Sequence, residues 1–225
     1  RMEFQIRSVE PLDVFYQPLA SDSGRESVFS AEIRQRDPRS SRYTVISAMR
    51  IREAEGAEDE VLQMESYRAA LEGIYDGLAR ENGNPEAYLH LGIVQAGLSN
   101  YLAADSAFDR AEAMYPDYVD VEPGTGFYRL QGWLQAFNYA VERMDEQNAV
   151  EALEFFRLAN VMYDQRPEAY LNIGSQRAGV DDLDGSIEAW RSAIAVIESP
   201  GVEDGEVGYV DDATRQMWDT DFWPM

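Results

Sequence analysis

Residues 85–92 read PEAYLHLG and residues 167–174 read PEAYLNIG. Six of the eight letters agree, and the two copies begin 82 residues apart. Long-range repetition constrains a chain more tightly than composition does. Each copy must build the same local structure, and units of this kind bury their apolar faces by stacking on their neighbours.

The first copy opens a unit spanning residues 85–118. Pro85 suits the first turn of a helix, where its missing N–H would be unpaired anyway. Glu86 favours the positive end of the helix dipole. Tyr88, Leu91 and Val94 recur at helical spacing. Gly97, Ser99 and Asn100 supply a turn, and a second amphipathic run follows through Tyr101, Ala104, Phe108, Ala111 and Met114 to Pro116. The expected product is a helix hairpin in which small residues, Gly92 and Ala104, let the backbones approach beside the bulky Tyr88 and Phe108.

Tyr88, Leu91, Gly92, Ala104, Phe108, Ala111 and Pro116 together resemble the tetratricopeptide repeat family. Residues 167–200 repeat the pattern with Tyr170, Ile173, Gly174, Ser186, Trp190 and Ala193. Gln95 and Arg177 stand where that family has an aromatic, and Ser186 replaces the small Ala. The resemblance implies an all-α helical solenoid of about three hairpins. Two plain units account for 68 of the 82 residues and leave fourteen over. The surplus belongs to a divergent unit at 119–166. Its second helix keeps the spacing in Ala152, Phe156 and Ala159. Its first runs from Phe127 to about Met144, with Gly132 as the close-contact residue. Gly132 to Ala152 is twenty residues where Gly92 to Ala104 is twelve, so the central pair has longer helices or a longer connection.

The repeat domain is expected over 57–200, with a long helix at 58–81 closing its N-terminal end. Residues 1–56 look different. Their strand-like residue types suggest an extended arm ending in a β-hairpin, 27–36 and 42–52, turned by DPRSS. Such an arm either folds back on its own domain or docks elsewhere. Residues 201–225 form an acidic aromatic tail whose Trp218, Phe222 and Trp223 either cap the last repeat or anchor a partner.

Charge separates these regions. The chain carries 42 acidic and 19 basic residues, a net charge of −23, and every basic residue is arginine. A composition without lysine fits a GC-rich bacterial genome. Residues 1–56 are neutral, with nine Arg and nine acids, so the rest holds the whole excess. That surface repels phosphate backbones and anionic lipid, which argues against nucleic-acid binding. It serves solubility or meets a basic partner. No run of 18 apolar residues suggests a membrane span.

Candidate chemistry is sparse. Cysteine is absent, and His90 is the only histidine, expected on the surface of a repeat helix. The stretch DDLDGS, 181–186, lacks the ligand spacing of a calcium loop, so Asp181 and Asp182 are expected to cap a helix starting near Leu183. No catalytic, cofactor or metal residue is assigned. The resemblance implies a partner-binding groove containing Leu89, His90, Ile93, Leu171, Asn172 and Ser175. None is basic, so the groove should prefer an apolar, extended or basic segment over an acidic C-terminus. The expected function is a non-catalytic protein–protein interaction scaffold. One version is an accessory subunit of a larger complex, for instance a respiratory or photosynthetic one, held peripherally on its extracytoplasmic (periplasmic) face. Alternatives are an assembly factor or chaperone-like adaptor, and a small-ligand binder or enzyme using the groove.

Overall fold

The structure is a computed structural model and describes residues 35–198 apart from 82, 120 and 122. The described residues contain helices and no strand: α1 (Arg42–Glu55), α2 (Glu60–Arg80), α3 (Pro85–Gly97), α4 (Tyr101–Met114), α5 (Thr125–Asp145), α6 (Ala149–Met162), α7 (Pro167–Gly179) and α8 (Leu183–Ile197). A 3₁₀ turn, Pro116–Val119, precedes α5. Consecutive helices pair as hairpins, α1 with α2, α3 with α4, α5 with α6 and α7 with α8. Neighbouring hairpins then meet through α1–α3, α2–α3, α4–α6 and α6–α7.

Residues 42–52, expected as a strand, are helix α1. Thr44, Val45, Ile46 and Ile51 gave the stretch its strand-like look, but β-propensity yields readily to tertiary context. Ser41 starts the helix with a capping box: its side chain accepts from Thr44 N–H, and the Thr44 hydroxyl accepts from Ser41 N–H at 2.9 Å. The buried residues, Thr44, Ser47, Ile51 and Ala54, fall at helical spacing rather than on alternate positions. The array therefore has four hairpins among the described residues, not three. Among the described residues it begins with α1 rather than with the helix at 60–80. Residues 27–34 of the expected ribbon lie outside the described residues.

The short stretch before α1 is tied to the array. Arg36 N–H donates to the Met114 carbonyl at the end of α4, 2.8 Å. The Asn84 side chain donates to the Arg39 carbonyl at 2.7 Å and accepts from Arg39 N–H at 3.2 Å. The same amide oxygen caps α3 by accepting from Glu86 N–H, 3.2 Å.

The fourteen surplus residues divide cleanly. Helix α5 has 21 residues against 13 in α3 and α7, which is eight more. The connection 115–124 has ten residues against four at 163–166, which is six more. The turn inside each of these three hairpins is the same. Ser99, Gln147 and Asp181 each adopt a left-handed conformation, with φ of 60, 62 and 63°. The following residue then donates its N–H five residues back: Asn100 to Gln95 and Asn148 to Arg143 at 2.8 Å, and Asp182 to Arg177 at 2.9 Å. So α5 is lengthened only at its start. Fully buried Ala140, twelve residues before Ala152, takes the place that Gly92 holds before Ala104. Gly132 does a different job: a Cβ there would lie 2.5 Å from Met162 Cε, near the far end of α6.

The expected small-against-bulky contacts form. The Phe108 ring lies across Gly92 and the Trp190 indole across Gly174, each so close that a Cβ would overlap the ring. Phe156, fully buried, packs edge-on against Phe137 with centroids 5.3 Å apart. Departures from the repeat pattern are satisfied by hydrogen bonds. Gln95 is buried; its amide nitrogen donates to the Tyr75 hydroxyl at 3.2 Å and its oxygen accepts from Asn100 at 3.0 Å. The Ser186 hydroxyl donates to the Gly174 carbonyl at 2.8 Å. Asp182 caps α8 through Gly185 N–H at 3.1 Å, while Asp181 supplies the turn.

Candidate binding cleft

The extra turns of α5 project beside α3 and α4, and one side chain holds them there. Arg129 reaches three carboxylates on α4 spaced along one helical face. Its Nε donates to Glu112 at 3.0 Å, Nη2 to Asp109 at 2.6 Å and Nη1 to Asp105. The guanidinium also lies over the Phe108 ring, 5.4 Å from its centroid. Only 14% of the Arg129 side chain is exposed, so the charge is stabilised by its partners more than by water.

Between this extension and the first hairpin lies a cleft of about 450 Å³. Tyr67 of α2, with Ile93, Ala96 and Gly97 of α3, forms one side. Phe127, Tyr128, Gln131 and Gln135 of α5 form the other. Glu55, at the end of α1, Gln63, Pro123 and Gly132 complete the lining. Gly97 is required for this arrangement: a Cβ there would fall 2.5 Å from the Tyr67 ring. Burial, and then the negative charge of Glu55, raise the phenol pKa of both Tyr67 and Tyr128, so each hydroxyl stays protonated and can donate. Partial burial likewise raises the Glu55 carboxyl, against the pull of Arg52.

The six residues expected in the groove lie on two helices, α3 and α7. Ile93 lines the cleft. Leu89 is buried. His90 is largely covered, with α1 alongside, and its Nδ1 lies 2.8 Å from Ser47 Oγ. The Ser47 hydroxyl donates to the Thr44 carbonyl at 3.0 Å, so its oxygen is left to accept from His90 Nδ1–H. Desolvation lowers the His90 pKa to about 4, and the ring is neutral at physiological pH. Leu171, Asn172 and Ser175 sit on α7, in a different hairpin. The side chains of Asn172 and Ser175 bond back to their own helix, to the Glu168 and Leu171 carbonyls at 2.8 and 2.9 Å. Trp218, Phe222 and Trp223 lie outside the described residues.

The residues that do make the cleft, among them Glu55, Tyr67, Ile93, Tyr128 and Gln131, come from four helices, and no short motif joins them. The available signal was the fourteen-residue surplus, eight residues of which lengthen the start of α5.

No family model matches the chain, and no curated protein matches it. Among solved structures, one described as the crystal structure of MamA is 17% identical, over 74% of this chain and 88% of that one, with a TM-score of 0.28. Another, described as MamA MSR-1 C2, is 15% identical over 69% of this chain and 97% of that one, again with a TM-score of 0.28. Similarity at that level carries no argument about this chain. The hairpins themselves define the class: an all-α, tetratricopeptide-like helical solenoid.

Proposed function

We propose that this chain is a protein–protein interaction scaffold of the tetratricopeptide type, acting as an accessory subunit that braces a larger assembly. The observation supporting this reading is the cleft beside α5. The regular hairpin would close its helices against their neighbours; here two additional helical turns stand off and leave aromatic and amide side chains facing an open volume. Repeat solenoids use such surfaces to hold extended segments of other proteins. No helix among the described residues is long and apolar enough to cross a membrane.

Affinity capture of the tagged full-length chain from its native host, with mass spectrometry of what accompanies it, tests the reading. A bracing subunit brings down one partner set in fixed ratio, retained through a high-salt wash. A substoichiometric, salt-labile set would instead mark an adaptor, and no accompanying protein would sink both. The arm is tested by removing residues 1–34. Removing 1–56 would also delete α1 and take Ser47 away from His90, so loss of binding could not be separated from loss of fold.

A further inference from the structure

We propose that the cleft between Tyr67 and the start of α5 receives a single cationic side chain, arginine or lysine, from the bound partner. This rests on reading the chain as a protein-binding scaffold and names what one part of its surface selects. The lining offers one carboxylate, Glu55, the amides of Gln63, Gln131 and Gln135, and the phenols of Tyr67 and Tyr128. It contains no arginine, and the chain has no lysine. Among the described residues no arginine forms a direct salt bridge with Glu55, although Arg52 on the same helix acts on its charge. Gln63 uses its amide nitrogen on the Ala54 carbonyl at 3.3 Å, which leaves its oxygen as an acceptor.

Charge decides between the occupants. An anion would meet Glu55 and a net charge of −23. An apolar group would desolvate Glu55 and the amide oxygens without pairing them, at about 1–3 kcal/mol for each group left unsatisfied. A guanidinium or ammonium satisfies the carboxylate and lies beside the rings of Phe127 and Tyr128 that line the cleft. Its charge also offsets the desolvation that raises the Glu55 pKa. The volume falls within the range of roughly 300–1,000 Å³ typical of small-ligand pockets, enough for one long side chain. The acidic surface would attract such a partner at long range, while the cleft supplies the selectivity.

The test uses the full chain and three blocked peptides, Gly-Gly-X-Gly-Gly with X as arginine, leucine or glutamate, followed by shifts of the tyrosine ring resonances. The arginine peptide should bind at least about tenfold more tightly than the leucine peptide, and the glutamate peptide should not bind. Glu55→Gln should weaken the arginine peptide about tenfold, while Glu142→Gln, an equal charge change on the exposed face of α5, should leave it unchanged. Gln131→Arg, which places a resident cation at the cleft, should abolish binding with helical circular dichroism intact. Equal binding of the arginine and leucine peptides, equal losses in the two glutamate variants, or no binding by any peptide would each overturn the inference. The scaffold reading would survive any of these if the intact chain still captures its partner in fixed ratio.

Discussion

Helices α3 and α7 begin with nearly the same eight letters and end in different surroundings. In α3, Leu89 is buried and His90 is bonded to Ser47 of α1. In α7, Leu171 is only partly buried and Asn172 bonds back to its own backbone. The ring across the small residue differs as well: Phe108 is fully buried, whereas Trp190 is 38% exposed. Local sequence set the helix, its Pro-led start and the face that meets its hairpin partner. The other faces were set by place in the stack: α3 has a hairpin on either side, while no described hairpin follows α8.

The largest test of that contrast is truncation of the two rings. Phe108→Ala should cost about 3–5 kcal/mol, since it empties a fully buried site beside Gly92. Trp190→Ala should cost about 1–2 kcal/mol, because much of its ring already meets water. Urea unfolding followed by helical circular dichroism measures both, and equal losses would mean the ends of the stack are as tightly packed as its middle.

The second test uses pH. At pH above 6.5 His90 is neutral in the folded and unfolded chain, and it contributes no pH dependence. As pH falls through 6.5 the unfolded chain gains a proton that the folded chain refuses until about 4. Stability is therefore lost across that window, by about 2–3 kcal/mol at its lower end. His90→Gln should remove this component, read as the difference between the two proteins' unfolding free energies at matched pH. Asn172→Gln, at the corresponding place on α7, should leave the profile unchanged.

The smallest test concerns the central hairpin. Arg129→Ala leaves Asp105, Asp109 and Glu112 without their shared cation, at a cost of about 2 kcal/mol. Asp109, at 66% exposure, supplies little of it. Amide hydrogen exchange should rise at 125–132 and stay unchanged around Phe156, because the hairpin turn and the Ala140–Ala152 contact do not depend on the extension. Uniform acceleration along α5 would show that the added turns and the regular part fold as one unit.

Much of this architecture was legible in the sequence. Residues 85–118 and 167–200 announced their hairpins because the contact residues recur at fixed spacing and Pro85 and Pro167 mark the starts. The cap at Asp182 was legible from position alone. Helix α1 was not, because the residue types in Thr44–Ile51 favour a strand, a preference reversed by the cap at Ser41 together with packing against α2 and α3. The central surplus was countable but misplaced: Gly132 drew attention as the small residue, while Ala140 was the one in register. The cleft was the least accessible feature. Its Glu55, Tyr67 and Tyr128 lie on separate helices, and their convergence depends on a stand-off created by Arg129 and three acids of α4.

Asn84 joins two tasks in one side chain, holding the Arg39 backbone and starting α3. Tension applied to the polypeptide ahead of α1 would therefore be delivered first to the end of α4 through Arg36 and then to the foot of the third helix through that amide, bypassing the first hairpin. A mechanical load or a tethered neighbour at that end would act on α4 and on α3, whose residues line the cleft, before it reached α1.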